Sequence, residues 1–384
     1  MNLNLTTATR YGLNVLAALG ASIALYFGRS IFIPLVIAGL LAAILWPGAK
    51  WLQNRFRLPW FFACATVVML LVFVVLLIFA LIGLSIPAML NDLPKPTDDA
   101  SMAKQYTRLR SQLKEALPFL DVQGAMPVKP EDSGLYREIK KFFTSEQFTG
   151  LLLTLTGQSL NLFAEAVLIL FLLLFLLVEG QMLIDKVRNI FGTAADSQKL
   201  VSAAFHQMAE SVRSYLVWRT IINIALGVLL GGIYYAFGLK NHFILWALLT
   251  MILGYIPYIG TLAAGALPVL DAFVNVSPWT AGWILAIYMV IVTVEGYLIV
   301  PWMMGRSMDL NATTVLISCL FWYLVWGTAG LFLAMPLMAA IKAICAQVPG
   351  WEAWGSLMGS EADRPPVRES TPDLVVLTAP PPKV

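Results

Sequence analysis

The chain has 384 residues, of which 59% are hydrophobic and 12% charged, and its net charge is +3. A charged share about half that of a soluble domain sets a soluble fold aside and indicates an integral membrane protein. So small a net charge leaves no footprint for nucleic acid, and the three cysteines, Cys64, Cys319 and Cys345, lie in apolar segments without metal-ligand or redox spacing and read as core residues.

Arg10 precedes an apolar run through Phe27 that has no small-residue cleavage site, so the N-terminus reads as a first membrane helix and not as a cleaved signal. Residues 11–28 and 31–47 are two apolar segments expected to form a hairpin. Lys50, Arg55 and Arg57 then make a short basic loop flanked by Trp46, Trp51 and Trp60, which the positive-inside rule places in the cytoplasm together with the N-terminus. A third helix runs from Trp60 to about Leu90. Residues 1–90 are thus the N-terminal membrane helices.

Residues 91–148 carry nine basic and nine acidic side chains and are punctuated by prolines, so they form an extramembrane insertion on the opposite, periplasmic side. Met102, Tyr106, Leu109, Leu113, Ala116 and Leu120 recur at spacings of four and three, the stripe of an amphipathic helix. That stripe is covered either by the rest of the insertion or by another copy in a homo-oligomer. Lys140, Lys141, Phe142 and Phe143 suit a helix lying on lipid headgroups.

Residues 149–345 form the membrane core. Leu151–Val178 is the fourth helix, with Glu165 near its middle and Gln158 and Asn161 on broadly the same face. A carboxylate at that depth costs at least ~2.5 kcal/mol on insertion scales, so Glu165 is expected to face protein or water, either in a functional role or as a hydrogen-bonded structural carboxyl. Lys186, Arg188, Lys199, Arg213 and Arg219 mark a second cytoplasmic stretch, with an amphipathic helix at 196–216 leading into a fifth helix at Val217–Phe237. His206 and His242 each stand without a second histidine or cysteine nearby and do not read as metal ligands.

The run 243–270 is interrupted by Gly254-Tyr255-Ile256-Pro257-Tyr258-Ile259-Gly260, which either kinks it or folds it back as a re-entrant hairpin. The carbonyls freed there need partners, and a solute or cation is one candidate. The next helix, from Trp279 to Val300, carries Glu295 near its end; Arg306 and Asp309 mark a corner. Residues 312–345 are too long for one untilted crossing and are broken at Gly327-Thr328-Ala329-Gly330, with Pro336 beyond. Two topologies satisfy this pattern: eight spans, or six spans with two fold-back pairs. The first puts Arg306 outside and the second inside; both leave the termini in the cytoplasm. Residues 346–384, rich in proline and charge, read as a disordered cytoplasmic tail. The fold class is therefore all-α, a polytopic membrane protein of about eight membrane segments with a soluble helical insertion.

Ile256-Pro257-Tyr258-Ile259-Gly260, Glu295-Gly296, Pro301, Gly305, Leu310 and the Gly327/Gly330/Pro336 series, with Glu179-Gly180, together resemble the pattern of the autoinducer-2 exporter family, permease-like proteins of the bacterial inner membrane. The resemblance covers roughly residues 10–345. Asn311-Ala312 departs from it, since a proline usually follows the position of Leu310, so that corner is expected to differ in shape; Glu165 lies outside the motif. The resemblance implies a transporter of autoinducer-2 or another small solute, and some members are linked to sodium–proton exchange.

No phosphate-cradling GxxxxGK[ST] loop is present, in keeping with a transporter that has no ATPase, and the absence of HExxH, GxSxG or paired intramembrane aspartates argues against an enzyme. No cofactor is implied. The expected partners are the lipid bilayer and a small-molecule or ion substrate. The leading expectation is a secondary exporter whose pathway involves Glu295, Glu165, Asn161, Pro257, Tyr258, Gly260, Pro301, Gly305, Gly327, Gly330 and Pro336, with Glu295 as the coupling carboxylate. The alternative for Glu295 is a structural hydrogen bond to a neighbouring helix. The rival functions are a sodium–proton antiporter and an oligomeric membrane scaffold that binds through the insertion.

Overall fold

The computed structural model describes residues 7–92, 99–116, 118, 126–134, 136–138, 141, 159–190, 195–304, 310–348 and 350–359. The regular elements among them are helices, as an apolar chain in lipid requires: a helix satisfies its own backbone hydrogen bonds where no water is present. Six segments are long and apolar enough to cross a membrane: Arg29–Phe56, Trp60–Ser85, Ala164–Ile190, Gln198–Ala236, Pro278–Ile299 and Thr328–Gln347. The protein is a multi-pass, all-α membrane protein.

Helix α1 (Thr7–Phe27) runs into α2 (Arg29–Phe56) through Gly28 alone. Helix-type hydrogen bonds reach this residue from both sides, Gly28 N–H to Ala24 at 2.8 Å and Phe32 N–H to Gly28 at 2.9 Å, so the expected hairpin is a bend joining the helices end to end. Helix α2 packs with α3 (Trp60–Asp92) and α5 (Ser159–Ile190) around Ala38, Ala49, Cys64, Leu173 and Leu177. Small side chains at such contacts let helix backbones approach closely. Trp60 tilts against Trp46 at 4.9 Å and donates to the Val178 carbonyl, which ties the basic corner together.

In the insertion, α4 (Asp99–Ala116) buries Met102 and Tyr106 against Met126 and Tyr136, with Leu109 and Leu113 alongside. Tyr106 donates to Pro127 O at 3.0 Å and Arg110 to Met126 O at 2.8 Å. The amphipathic stripe is thus covered within the insertion, the simpler of the two readings; Leu120, Lys140, Phe142 and Phe143 lie outside the described residues. Helix α4 also docks on the membrane core, because Arg108 donates to Asn275 O and Gln112 to Val276 O.

The amphipathic segment and the fifth span are one unbroken helix, α6 (Ala195–Ala236), of 42 residues. Two helical hairpins follow. In the first, α7 (Phe243–Leu253) and α8 (Ile259–Asn275) meet at a tip of five residues, and their far ends lie together: His242 contacts Asp271, and a Cβ added to Gly238 would touch Val276. In the second, α11 (Ala312–Trp326) turns at Gly327 into α12 (Thr328–Gln347). Its ends also lie together, since Asn311 bonds to the backbone of Leu357, Met358 and Gly359, and Gly355 of α13 (Glu352–Met358) packs on Cys345. Asn311 caps α11 by accepting from Thr314 N–H at 2.7 Å.

Between the hairpins runs α9 (Pro278–Val294), a π-helical turn at Glu295–Ile299, and α10 (Val300–Met304). This rod is antiparallel to α6: Tyr288 packs with Leu230 and Tyr234, Glu295 meets Arg219, and Met303 packs near Tyr215. Because Asn275 and Val276 touch the insertion, the first hairpin enters from the insertion's end; the rod then carries the chain to the other end, where the second begins. The chain thus folds back on itself at both breaks, as two helical hairpins. Their tips meet in the interior, where Ile256 clusters with Trp322, Trp326 and Leu331.

Candidate functional site

The tip of the first hairpin sets the site. Leu253 ends α7, Gly254 follows in helical geometry, and Tyr258 takes φ 60° and ψ −65°, a γ-turn closed by Ile259 N–H to Pro257 O at 2.7 Å. A non-glycine residue in that region carries about 1–3 kcal/mol of strain. Glycine at 260 is obligatory, because a Cβ there would lie 1.9 Å from the Leu253 carbonyl oxygen. The same logic holds in the second hairpin, where a Cβ on Gly330 would lie 1.9 Å from Trp322 O. Gly327 at φ 62° makes the turn, and Pro336 is buried within α12.

Glu295 stands opposite this tip and is buried. It begins the π turn, closed by Val300 N–H to Glu295 O, and such one-turn bulges re-aim side chains where function demands it. Its carboxylate is not lone: Arg219 of α6 donates from Nη1 to Oε1 at 2.7 Å, with side-chain exposures of 13% for Arg219 and 8% for Glu295. The same guanidinium donates through Nε, at 2.8 Å, and Nη2 to the Gly254 carbonyl. Arg219 therefore ties the hairpin tip on one side to Glu295 on the other. One residue along each segment, Thr220 and Tyr255 share a hydroxyl contact at 2.6 Å.

Beside the tie opens a cavity of about 530 Å³, lined by Arg219, Tyr258, Thr261, Tyr288, Glu295 and apolar residues of α8 and α9. Tyr288 lies against Gly265, where a Cβ would come within 2.3 Å of its ring, and donates its hydroxyl to Thr261 O at 2.5 Å. Glu295 Oε2 makes no hydrogen bond among the described residues, so one carboxylate oxygen is committed to arginine and the other is left for the cavity.

The expected open carbonyls at the tip are mostly satisfied. Leu253 O accepts from Ile256, Ile256 O from Gly260, Pro257 O from Ile259, Tyr258 O from Leu262, and Gly254 O from Arg219. What the break contributes is a docking point for a cation on a side chain, not a bare ring of oxygens.

Of the residues singled out from sequence, the structure brings Glu295 and Tyr258 to the cavity and places Pro257 and Gly260 in the tip beside it. Gly327, Gly330 and Pro336 shape the second hairpin. Glu165, expected to face protein or water, is exposed on α5, and no described residue of α5 lines this cavity. The side chains of Asn161 and Pro301, and Gly305 as a whole, lie outside the described residues.

Sequence reasoning missed Arg219, which closes a run of basic residues and so read as cytoplasmic. Its position two residues inside the apolar run from Val217 was the available signal. His242, read as isolated, pairs with Asp271 29 residues on, at 2.8 Å.

Comparison with known proteins gives a consistent result. A family model described as AI-2E family transporter matches residues 14–350. The AI-2 transport protein TqsA of Escherichia coli K12 is 27% identical over 355 residues, spanning 91% of this chain and 96% of the relative. The putative transport protein YrrI of Bacillus subtilis is 26% identical over 335 residues (82% and 86%), and the putative permease PerM of Escherichia coli K12 is 24% identical over 331 (83% and 88%).

Proposed function

The chain belongs to the AI-2E family of transporters, and from that premise we propose that it is a secondary exporter of a small polar solute, with the Arg219 tie as its gate. The observation that carries this reading is one guanidinium holding both a hairpin tip and a buried carboxylate beside a cavity among apolar helices. A buried ion pair is weak evidence for stability, because desolvation offsets most of its attraction. It is better suited to a contact that must be made and broken.

In this reading the tie closes the route while Glu295 is ionised. Protonation of Glu295 removes the charge that holds Nη1, Arg219 loses half of its anchorage, and the tip is free to withdraw from α9. Coupling to a proton or cation gradient follows from that charge change, and a largely apolar cavity wall with a few polar groups at Arg219, Glu295 and the tyrosines suits a small solute with few polar groups. The name of the TqsA relative makes autoinducer-2 the first solute to try.

The test is flux into liposomes containing the purified protein, measured for autoinducer-2, Na⁺ and H⁺, in wild type and Glu295→Gln. Solute flux in wild type and its loss in the variant is the expected result. A variant that transports like wild type at every pH would sink the gating role, and Na⁺/H⁺ exchange without solute flux would turn the assignment to an antiporter.

A further inference from the structure

Two buried polar groups flank the first hairpin's tip without partners. Asn223, one turn beyond Arg219 on α6, is 2% exposed, and neither its Oδ1 nor its Nδ2 has a partner among the described residues. Trp322 of α11 is 5% exposed and its Nε1–H is likewise unpaired. Each such group costs about 1–3 kcal/mol, so two beside one hairpin tip call for an explanation.

They border the same three residues. The Asn223 amide lies on Gly254, where an added Cβ would be 2.6 Å from Oδ1, while Trp322 packs in the cluster around Ile256. Close packing alone does not explain an asparagine there. Asn223, Gly227 and Gly231 follow at intervals of four along α6, and α7 rides tightly on the two glycines, where a Cβ would meet Met251 and Ala247 at 2.3 and 2.8 Å. A glycine, alanine or serine would continue that face; an amide with four unused hydrogen-bonding positions does not.

We infer that Asn223 and Trp322 form an occluded polar subsite on the solute's route, sealed by residues 254–256 while Arg219 holds Gly254. The inference rests on the transport reading and deepens it. The guanidinium's contacts are committed to Glu295 and Gly254, so the groups left to meet a ligand are uncharged: an amide that both donates and accepts, and one indole donor. That set recognises a neutral solute with neighbouring hydroxyl or carbonyl groups. It gives a bare cation too few oxygens. When the tip withdraws, the solute supplies the partners that the closed state lacks.

The test needs no identified ligand. Asn223→Cys, in a background with Cys64, Cys319 and Cys345 replaced, is labelled with N-ethylmaleimide in liposomes, with the tie intact or cut by Glu295→Ala. Cutting the tie should raise the labelling rate at least about tenfold, whereas Leu230→Cys, 1% exposed farther along α6, should stay slow in both backgrounds. In parallel, Asn223→Leu, similar in size but apolar, should melt at or above the wild-type temperature, because it removes an unpaired amide. Equal labelling rates with and without the tie, or an Asn223→Leu protein melting several degrees lower, would overturn the subsite. Flux judges the transport reading separately: lost flux in Glu295→Gln with unchanged labelling defeats the subsite alone, unchanged flux in that variant defeats the gating role of Glu295, and no solute flux in wild type defeats the transport reading whatever the labelling.

Discussion

The base and the tip of the first hairpin each hold a buried carboxylate, and the two are held in opposite ways. At the base, Asp271 accepts from three side chains: His242 Nδ1 at 2.8 Å, Trp246 Nε1 at 2.6 Å and Asn275 Nδ2 at 2.6 Å, with both oxygens used. At the tip, Glu295 has one donor on one oxygen. The base is further braced by α4, which reaches the carbonyls of Asn275 and Val276. The base is thus pinned by a saturated carboxylate, whereas the tip is latched by the Arg219 tie and held by the Thr220–Tyr255 contact and the packing of Ile256. In the proposed gate the base is the part that stays and the tip the part that moves.

The largest effect should come from removing the pin. Asp271→Ala strands the donors of His242, Trp246 and Asn275 in a buried setting, and the loss should be about 2–5 kcal/mol. Thermal unfolding in detergent would show it as a drop of many degrees, together with loss of flux. A variant as stable as wild type would mean that the base is not what fixes the hairpin.

Next comes the geometry of the tip. Gly260→Ala drives a Cβ into the Leu253 carbonyl, a backbone atom that no rotamer change relieves. The expected cost is about 1–3 kcal/mol, from overpacking at a turn with no slack. Melting reads that cost directly, and an unchanged melting temperature would show that the turn can relax and that the tip is looser than its contacts suggest.

The latch itself should matter less to stability than either. Glu295→Gln keeps an oxygen for Arg219 but leaves its buried charge uncompensated, so stability should fall by about 1–2 kcal/mol while the flux assay registers most of the damage. If instead Glu295→Gln unfolds as readily as Asp271→Ala, tip and base are both structural and the contrast between them disappears.

How much of this was legible in the sequence follows the same division. Glycines and prolines announce backbone breaks locally, so Gly254–Gly260 and Gly327–Gly330 were visible, as was the buried acid Glu295. The stripe from Met102 to Leu113 was readable because a helix repeats its face, although its cover, Met126 and Tyr136, was not. Partnerships across long separations were hidden: Arg219 lies 76 residues from Glu295, and His242 29 from Asp271, and only the fold-back of α7 on α8 and the antiparallel course of α6 and α9 bring them together. The choice between kink and hairpin was equally unreadable, since both need the same residues at the break. The contacts of His242 and Trp246, at the start of the first arm, with Asp271, near the end of the second, decided it.

The smallest change, and the most selective one, is at Tyr258. Its γ-turn conformation suits glycine better than tyrosine, so Tyr258→Gly should relieve strain and leave stability unchanged or higher by about 1 kcal/mol, the gain being trimmed by the extra freedom glycine brings to the unfolded chain. The side chain is 53% exposed and lines the cavity, so little packing is lost with it. A tyrosine kept in a strained turn where glycine would be easier points to a use for the ring itself, which in the proposed gate lies at the cavity beside the tip. Unchanged melting with slower autoinducer-2 flux is therefore the expected pair of results. Full flux from the glycine variant would assign the strain to the turn alone and remove Tyr258 from the moving end of the hairpin.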